Sequence, residues 1–208
     1  SSLVLGILGF FTCGVTALIG LVLGIVALVR IDRSKGQLGG KGMALAGMIV
    51  SGAFLLLLPF MAALIIPALA RAKQKAVTIH CLTNVRQLNL ALAMYADQNV
   101  QFPAADKWCD AIQQYVGGNS SVFLCPAGKP GARSHYAFNA RLSGVSPKAV
   151  AHPARTVLLF ETDGGWNQSG GKELLPSKPR HGSYVIGFVD GHAESVRPEN
   201  LNKLRWAP

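Results

Sequence analysis

The chain has 208 residues, half of them apolar, 14% charged and 8% aromatic, with twenty Lys/Arg against ten Asp/Glu and a formal charge of +10. A mean hydropathy of +0.33 excludes a disordered chain and exceeds what a water-soluble domain of this size needs. The excess is concentrated in residues 1–29 and 42–70, neither of which contains Asp, Glu, Lys or Arg. Each run outlasts the ~20 helical residues that cross a hydrocarbon layer, so a purely soluble protein is excluded.

Residues 1–29 consist mainly of Leu, Val, Ile, Ala and Gly, with Gly20 and Gly24 at the small-xxx-small spacing that lets two helix backbones approach closely in lipid. Cys13 reads as one more small apolar residue of this run. The run lacks the basic lead and short apolar core of a cleaved signal peptide. The polar, glycine-punctuated stretch 30–41 carries Arg30, Arg33, Lys35 and Lys41 with Asp32, and predicts a basic connection between two membrane helices. Three domains follow: 1–41, the first transmembrane helix and its loop; 42–98, a second transmembrane helix continuing as an amphipathic stalk; and 99–208, a small globular head.

Eight Lys/Arg against two acids fall in 30–98, and twelve against eight in 99–208. Cations flanking apolar helices anchor to lipid headgroups, and no Lys/Arg run with interleaved aromatics appears, so the expected partners are the bilayer and other membrane subunits, not nucleic acid. Charge gives nearly equal weight to the two orientations. Cysteine usage favours a head outside the cytoplasm, because a disulfide between Cys109 and Cys125 would close a useful loop there; two buried thiols is the other reading.

Within the second segment, Val77, Cys81, Val85, Leu88, Leu92 and Tyr95 recur at helical spacing and predict one apolar stripe, with Lys75, Arg86 and Asn89 off it. Pro59 and Pro67 predict kinks. Beyond Phe102-Pro103, residues 105–116 read as a short helix with Trp108, Ile112 and Tyr115 on one side and Gly117-Gly118 as its stop. Residues 122–124 and 156–160 read as strands, and 163–171 as a glycine-rich loop. Residues 184–189 and 192–196 read as a hairpin turning at Asp190-Gly191 with two residues at positive φ. The expected class is α+β, a helical membrane hairpin whose second helix becomes the stalk of a small antiparallel-sheet head.

Candidate chemistry is confined to Glu161, Asp163, His181, Asp190 and His192, whose carboxylates and imidazoles suit a hard or borderline cation. A structural polar cluster is the competing and favoured reading, and no resident metal or cofactor is expected. His80, His135 and His152 show no ligand spacing. Nucleophile-elbow, phosphate-loop, dinucleotide and Cys-x-x-Cys motifs are all missing, so no catalytic residue is assigned and no enzyme is expected.

Two stretches resemble known families. Ser2–Ile7, Gly24–Arg30 and Leu38–Ile49 look like a small bacterial two-helix membrane domain of unassigned function. The succession Leu64–Ala76, Cys81–Asp97, Trp108, Phe123–Pro126, Tyr136–Asn139, Pro153–Phe160 and Arg180-His181 to Asp190-Gly191-His192 resembles type IV pilins. It is closer to the type II secretion pseudopilin-like proteins with a His, nine-residue, Asp-Gly signature, over about 60–197. That resemblance implies a structural role in envelope assembly or secretion, with His181, Asp190 and Gly191 as the signature residues. The chain departs from the pattern in three ways. No Glu occupies the region near Val50 where the family places its assembly acid, no leader-peptidase site precedes it, and eight residues separate His181 from Asp190. Retention in the inner membrane with a periplasmic head is therefore expected over release into a filament, and an accessory subunit of a larger integral membrane complex is the alternative.

Overall fold

The computed structural model describes residues 2–34 and 39–208, with side chains from residue 18 onward. Cys13 and Lys35 lie outside those described side chains. The chain divides into two compact units, Ser1–Arg71 and Ala72–Pro208.

The first unit holds helix α1 (Ser2–Arg33) and the first part of α2 (Lys41–Asn99). Arg30 and Arg33 occupy the last turn of α1, where cations complement the carbonyl end of the helix dipole. Glycine sets how closely the two helices approach. A Cβ on Gly24 would meet Met48 Cγ at 2.5 Å, and one on Gly20 would meet Ser51 Oγ at 3.0 Å. Many of the apolar residues described here face outward, with Leu23 62% and Leu56 78% exposed, while others such as Leu28 and Leu55 are half-buried. Among the described residues, one helix, α2, is long and apolar enough to cross a membrane. It is helical throughout, with Pro59 and Pro67 inside it.

In the second unit α2 changes character. Cys81, Val85, Leu88 and Leu92 are buried, and Val77 and Tyr95 are half-buried, as the stripe predicts. Asn89 corrects that reading, because it is fully buried with the stripe. Its Nδ2 donates to the carbonyls of Phe188 (3.4 Å), Gly191 (3.3 Å) and His192 (3.0 Å), which replaces the water a buried amide gives up. Asn84 is buried for the same reason, with Nδ2 donating to Leu124 O at 2.8 Å.

The sheet contains β1 (Tyr136–Asn139), β2 (Val157–Glu161), β3 (Ser169–Gly170), β4 (Tyr184–Phe188) and β5 (Ala193–Val196). Its order is β3-β1-β2-β4-β5. β1–β2, β2–β4 and β4–β5 are antiparallel, but β3 runs parallel to β1, so the sheet is mixed and not wholly antiparallel. Alternation along the strands serves two cores. Phe138, Leu159 and Val185 join the α2 stripe with Trp108 and Phe123. Ala137, Phe160, Tyr184, Ile186 and Phe188 face a second core closed by Leu201, Leu204 and Trp206. Leu158 and Leu159 both belong to the first core, because a register shift between Val157 and Leu159 puts two successive side chains on one side.

Gly187 is where α2 crosses β4. A Cβ there would lie 2.5 Å from Asn89 Oδ1 and 2.7 Å from Val85 Cγ1.

Residues 105–116 form a helical stretch in three pieces: a 3₁₀ turn (Ala105–Lys107), α3 (Trp108–Ile112) and a second 3₁₀ turn (Gln113–Val116), which ends at Gly117 with φ 62°. Two strand assignments require correction. Residues 120–123 are a 3₁₀ turn, started by the Asn119 side chain accepting from Ser121 N, so no strand occupies 122–124. The β4–β5 loop has three residues, with the Gly191 N–H bonding Phe188 O at 3.0 Å and the Phe188 N–H bonding His192 O at 2.9 Å. Positive φ falls only on Gly191 (94°), the pattern of a turn closed by a glycine bulge and not of a two-residue hairpin.

Candidate functional site

The disulfide joins Cys81 to Cys125, not Cys109 to Cys125. Both partners belong to the core beneath α2, with Cα atoms 5.3 Å apart, within the range a disulfide spans. Cys109 is a free thiol on α3, buried beside Trp108, and its Sγ accepts from Asn167 N at 3.4 Å. Burial pushes that thiol up to about 12, which leaves it protonated and unreactive at neutral pH.

Around the disulfide, three elements converge. β2 ends in Glu161, which is fully buried, and its Oε2 accepts from Val185 N at 3.0 Å. The turn before β4 closes with Gly182 N–H bonding Pro179 O at 3.4 Å, and the positive φ of Gly182 (73°) lets it reverse sharply. That turn carries Arg180 and His181, whose side chains are 8% and 1% exposed. His181 Nε2 lies 3.3 Å from Cys125 Sγ and 3.2 Å from Glu161 Oε1. Arg180 Nη1 stands 3.7 Å from Glu161 Oε1, while Nη2 donates to Thr162 O at 2.5 Å and to Asp163 Oδ1 at 2.7 Å. Neither Glu161 Oε1 nor Arg180 Nη1 makes a hydrogen bond.

The five candidates therefore separate. Glu161 and His181 share the buried cluster. Asp163 sits at its rim, half-exposed, bonded to Lys129 Nζ (3.0 Å) and Arg180, and these two cations hold its carboxyl below the usual carboxylate range. Asp190 and His192 form a pair of their own in the β4–β5 turn, where Asp190 Oδ1 accepts from His192 N at 3.1 Å and lies 2.5 Å from Nδ1. Among the described residues, the His, Cys and carboxylate ligand atoms that converge belong to Cys81, Cys125, Glu161 and His181, all within 4.8 Å of one another.

His135 is structural. Its Nδ1 accepts from Cys125 N at 3.0 Å, so the proton is on Nε2, which donates to Lys129 O at 2.9 Å. Gly128 packs against this ring and has no room for a side chain.

The glycine-rich loop is held to α3 by a clasp that spacing did not reveal. Asp110 accepts from Trp166 Nε1 (2.6 Å) and Asn167 Nδ2 (2.5 Å), Asn167 Oδ1 accepts from Cys109 N (2.8 Å), and Arg133 stacks on Trp166 at 4.4 Å. The bonds from Asn167 and Trp166 lower the Asp110 pKa.

Residues 1–72 match a family described as a domain of unknown function, DUF4190. No curated protein and no solved structure matches the chain.

Proposed function

We propose that this chain is a membrane-anchored, non-catalytic, pseudopilin-like structural protein, with a helical hairpin in the bilayer and a head outside the cytoplasm that acts in envelope assembly or secretion. The observation that carries the reading is the change along α2. Leu56 and Leu69 point outward with nothing to cover them, as lipid-facing side chains do, while Cys81, Val85, Leu88 and Leu92 of the same helix are sealed in the core of the head. A disulfide that staples this helix to the head suits an oxidising compartment. The contacts at Gly20 and Gly24 suit two helices packed together in lipid. Asp163, Asp190 and His192 are engaged with neighbouring protein groups, which favours a structural role over catalysis.

A second reading, an accessory subunit of a larger integral membrane complex, is favoured by the missing acid in 42–70, since the family resemblance ties filament assembly to that Glu.

Alkaline carbonate extraction tests the anchor, and an impermeant maleimide applied to spheroplasts tests the side. Because Cys109 is sealed, the label belongs on an exposed position such as Lys148→Cys. The chain should stay with the membrane and the new thiol should react before lysis. Release by carbonate, or reaction only after lysis, contradicts the proposal. Recovery in sheared filament fractions supports the first reading, and co-migration with one complex in mild detergent supports the second.

A further inference from the structure

Four donors of mixed softness surround one point in the head: two sulfurs, one imidazole nitrogen and one carboxylate oxygen. Glu161 Oε1 is buried, lacks a hydrogen bond and faces His181 Nε2 at 3.2 Å, so the oxidised cluster leaves a carboxylate oxygen unsatisfied and aimed inward.

We propose that reduction of the Cys81–Cys125 disulfide converts this cluster into a four-ligand site for a zinc-class divalent cation, held by Cys81 Sγ, Cys125 Sγ, His181 Nε2 and Glu161 Oε1. A dithiol supplies the chemistry. It becomes a disulfide, its two electrons break the S–S bond, and its two protons go to the cysteine sulfurs. The cation then binds both thiolates and releases those two protons. Reoxidation by a disulfide reverses the electron flow and expels the cation.

Geometry and charge both fit. Zinc bonds of roughly 2.3 Å to sulfur and 2.0–2.2 Å to nitrogen or oxygen set tetrahedral ligand separations of about 3.3–3.8 Å. The nitrogen–sulfur separation of 3.3 Å and the nitrogen–oxygen separation of 3.2 Å already lie close to that range. The two sulfurs have to part, and the remaining separations, all within 4.8 Å, have to settle into the same range. In the oxidised head, the Glu161 carboxylate faces the Arg180 guanidinium, and the pair is neutral. In the metal form, two thiolates, the carboxylate, a dication and the same guanidinium again leave no net formal charge. A buried cluster that stays balanced in both states avoids the cost of an uncompensated interior charge. In either state α2 remains tied to the head.

Cobalt(II) reports on such sites through thiolate charge-transfer absorption and intense visible bands in tetrahedral coordination. The full-length chain in detergent is compared oxidised and after reduction by a phosphine, which takes oxygen from water and leaves no competing thiol. The reduced chain should bind one equivalent of cobalt with both signatures, and zinc should displace it. The oxidised chain should show neither signature. His181→Asn and Glu161→Gln should each weaken binding at least about tenfold, and His192→Asn should leave it unchanged. Absence of a thiolate band, an octahedral spectrum or equal binding by the oxidised chain overturns the proposal. So does unaltered affinity in His181→Asn. Reduced and oxidised forms of the unsubstituted chain decide the matter even where a substitution prevents folding.

Discussion

The two units use the same residue types against two different surroundings. In the first, Leu, Ile and Val stand outward along α1 and the start of α2, and glycine serves helix-to-helix approach at Gly20 and Gly24. In the second, apolar side chains fill two cores on either face of a sheet. Glycine there serves left-handed turns at Gly117, Gly182 and Gly191, and the close crossing at Gly187. Polar side chains divide in the same way. In the second unit Asn84 and Asn89 enter the core by capturing backbone carbonyls, and Glu161 by accepting a backbone N–H. On the membrane-anchored reading proposed above, outward-facing leucine on α2 is no defect, because lipid is the solvent there, and the helix changes solvent near Arg71.

That contrast predicts opposite costs for apolar truncation. Trp108→Ala empties the centre of the first core and removes the indole donor to Gln168 O, so the head should lose about 3–5 kcal/mol in denaturant unfolding followed by fluorescence. Leu56→Ala should leave the same transition within about 0.5 kcal/mol. An equal loss from both would break the division. Cys81→Ser removes a cross-link spanning 44 residues and should lower head stability by about 2–4 kcal/mol, read as an earlier denaturant midpoint. A smaller effect follows from Asn89→Ala, which removes the side-chain donor from Gly191 O and one of two donors from Phe188 O and His192 O and should cost about 1–3 kcal/mol, with faster amide exchange in β4 and β5.

The smallest effect is electrostatic. Asp163 has its pKa lowered by Lys129 and Arg180, so its ionised form is the one the fold favours. Its contribution is present above the ordinary value of 3.8 and is lost as pH falls from there through the lower folded value. With a half-exposed side chain it amounts to less than about 1 kcal/mol. Asp163→Asn should leave a shallower acid limb in stability against pH, and little change at pH 7.

Local signals carried much of the fold. The helical recurrence of Cys81, Val85, Leu88 and Leu92 and the Asp190-Gly191 turn are short-range patterns; the helix stands where its spacing puts it, and a turn joins β4 to β5 at Asp190-Gly191, though with three loop residues in place of two. What escaped depends on distant partners. β1 is too short to announce itself, and β3 is two residues pinned by the Phe138 N–H on Gln168 O. Val122-Phe123 has strand-like composition, but the Asn119 cap curls it into a turn. In the candidate site, Glu161 and His181 were visible as chemistry. Cys81 was hidden as one more stripe residue, and its bond to Cys125 is decided by how α2 packs on the head. Arg180 drew attention only beside His181, because nothing local indicates that its guanidinium is buried against Glu161.

Spin-label accessibility along α2 in a reconstituted bilayer measures the change of solvent directly. Labels at Leu56→Cys and Leu69→Cys should be reached by oxygen and shielded from a polar nickel reagent. A label at exposed Leu90→Cys should show the reverse, and one at buried Leu88→Cys should be reached by neither. Nickel access at 56 and 69 equal to that at 90 would contradict the account.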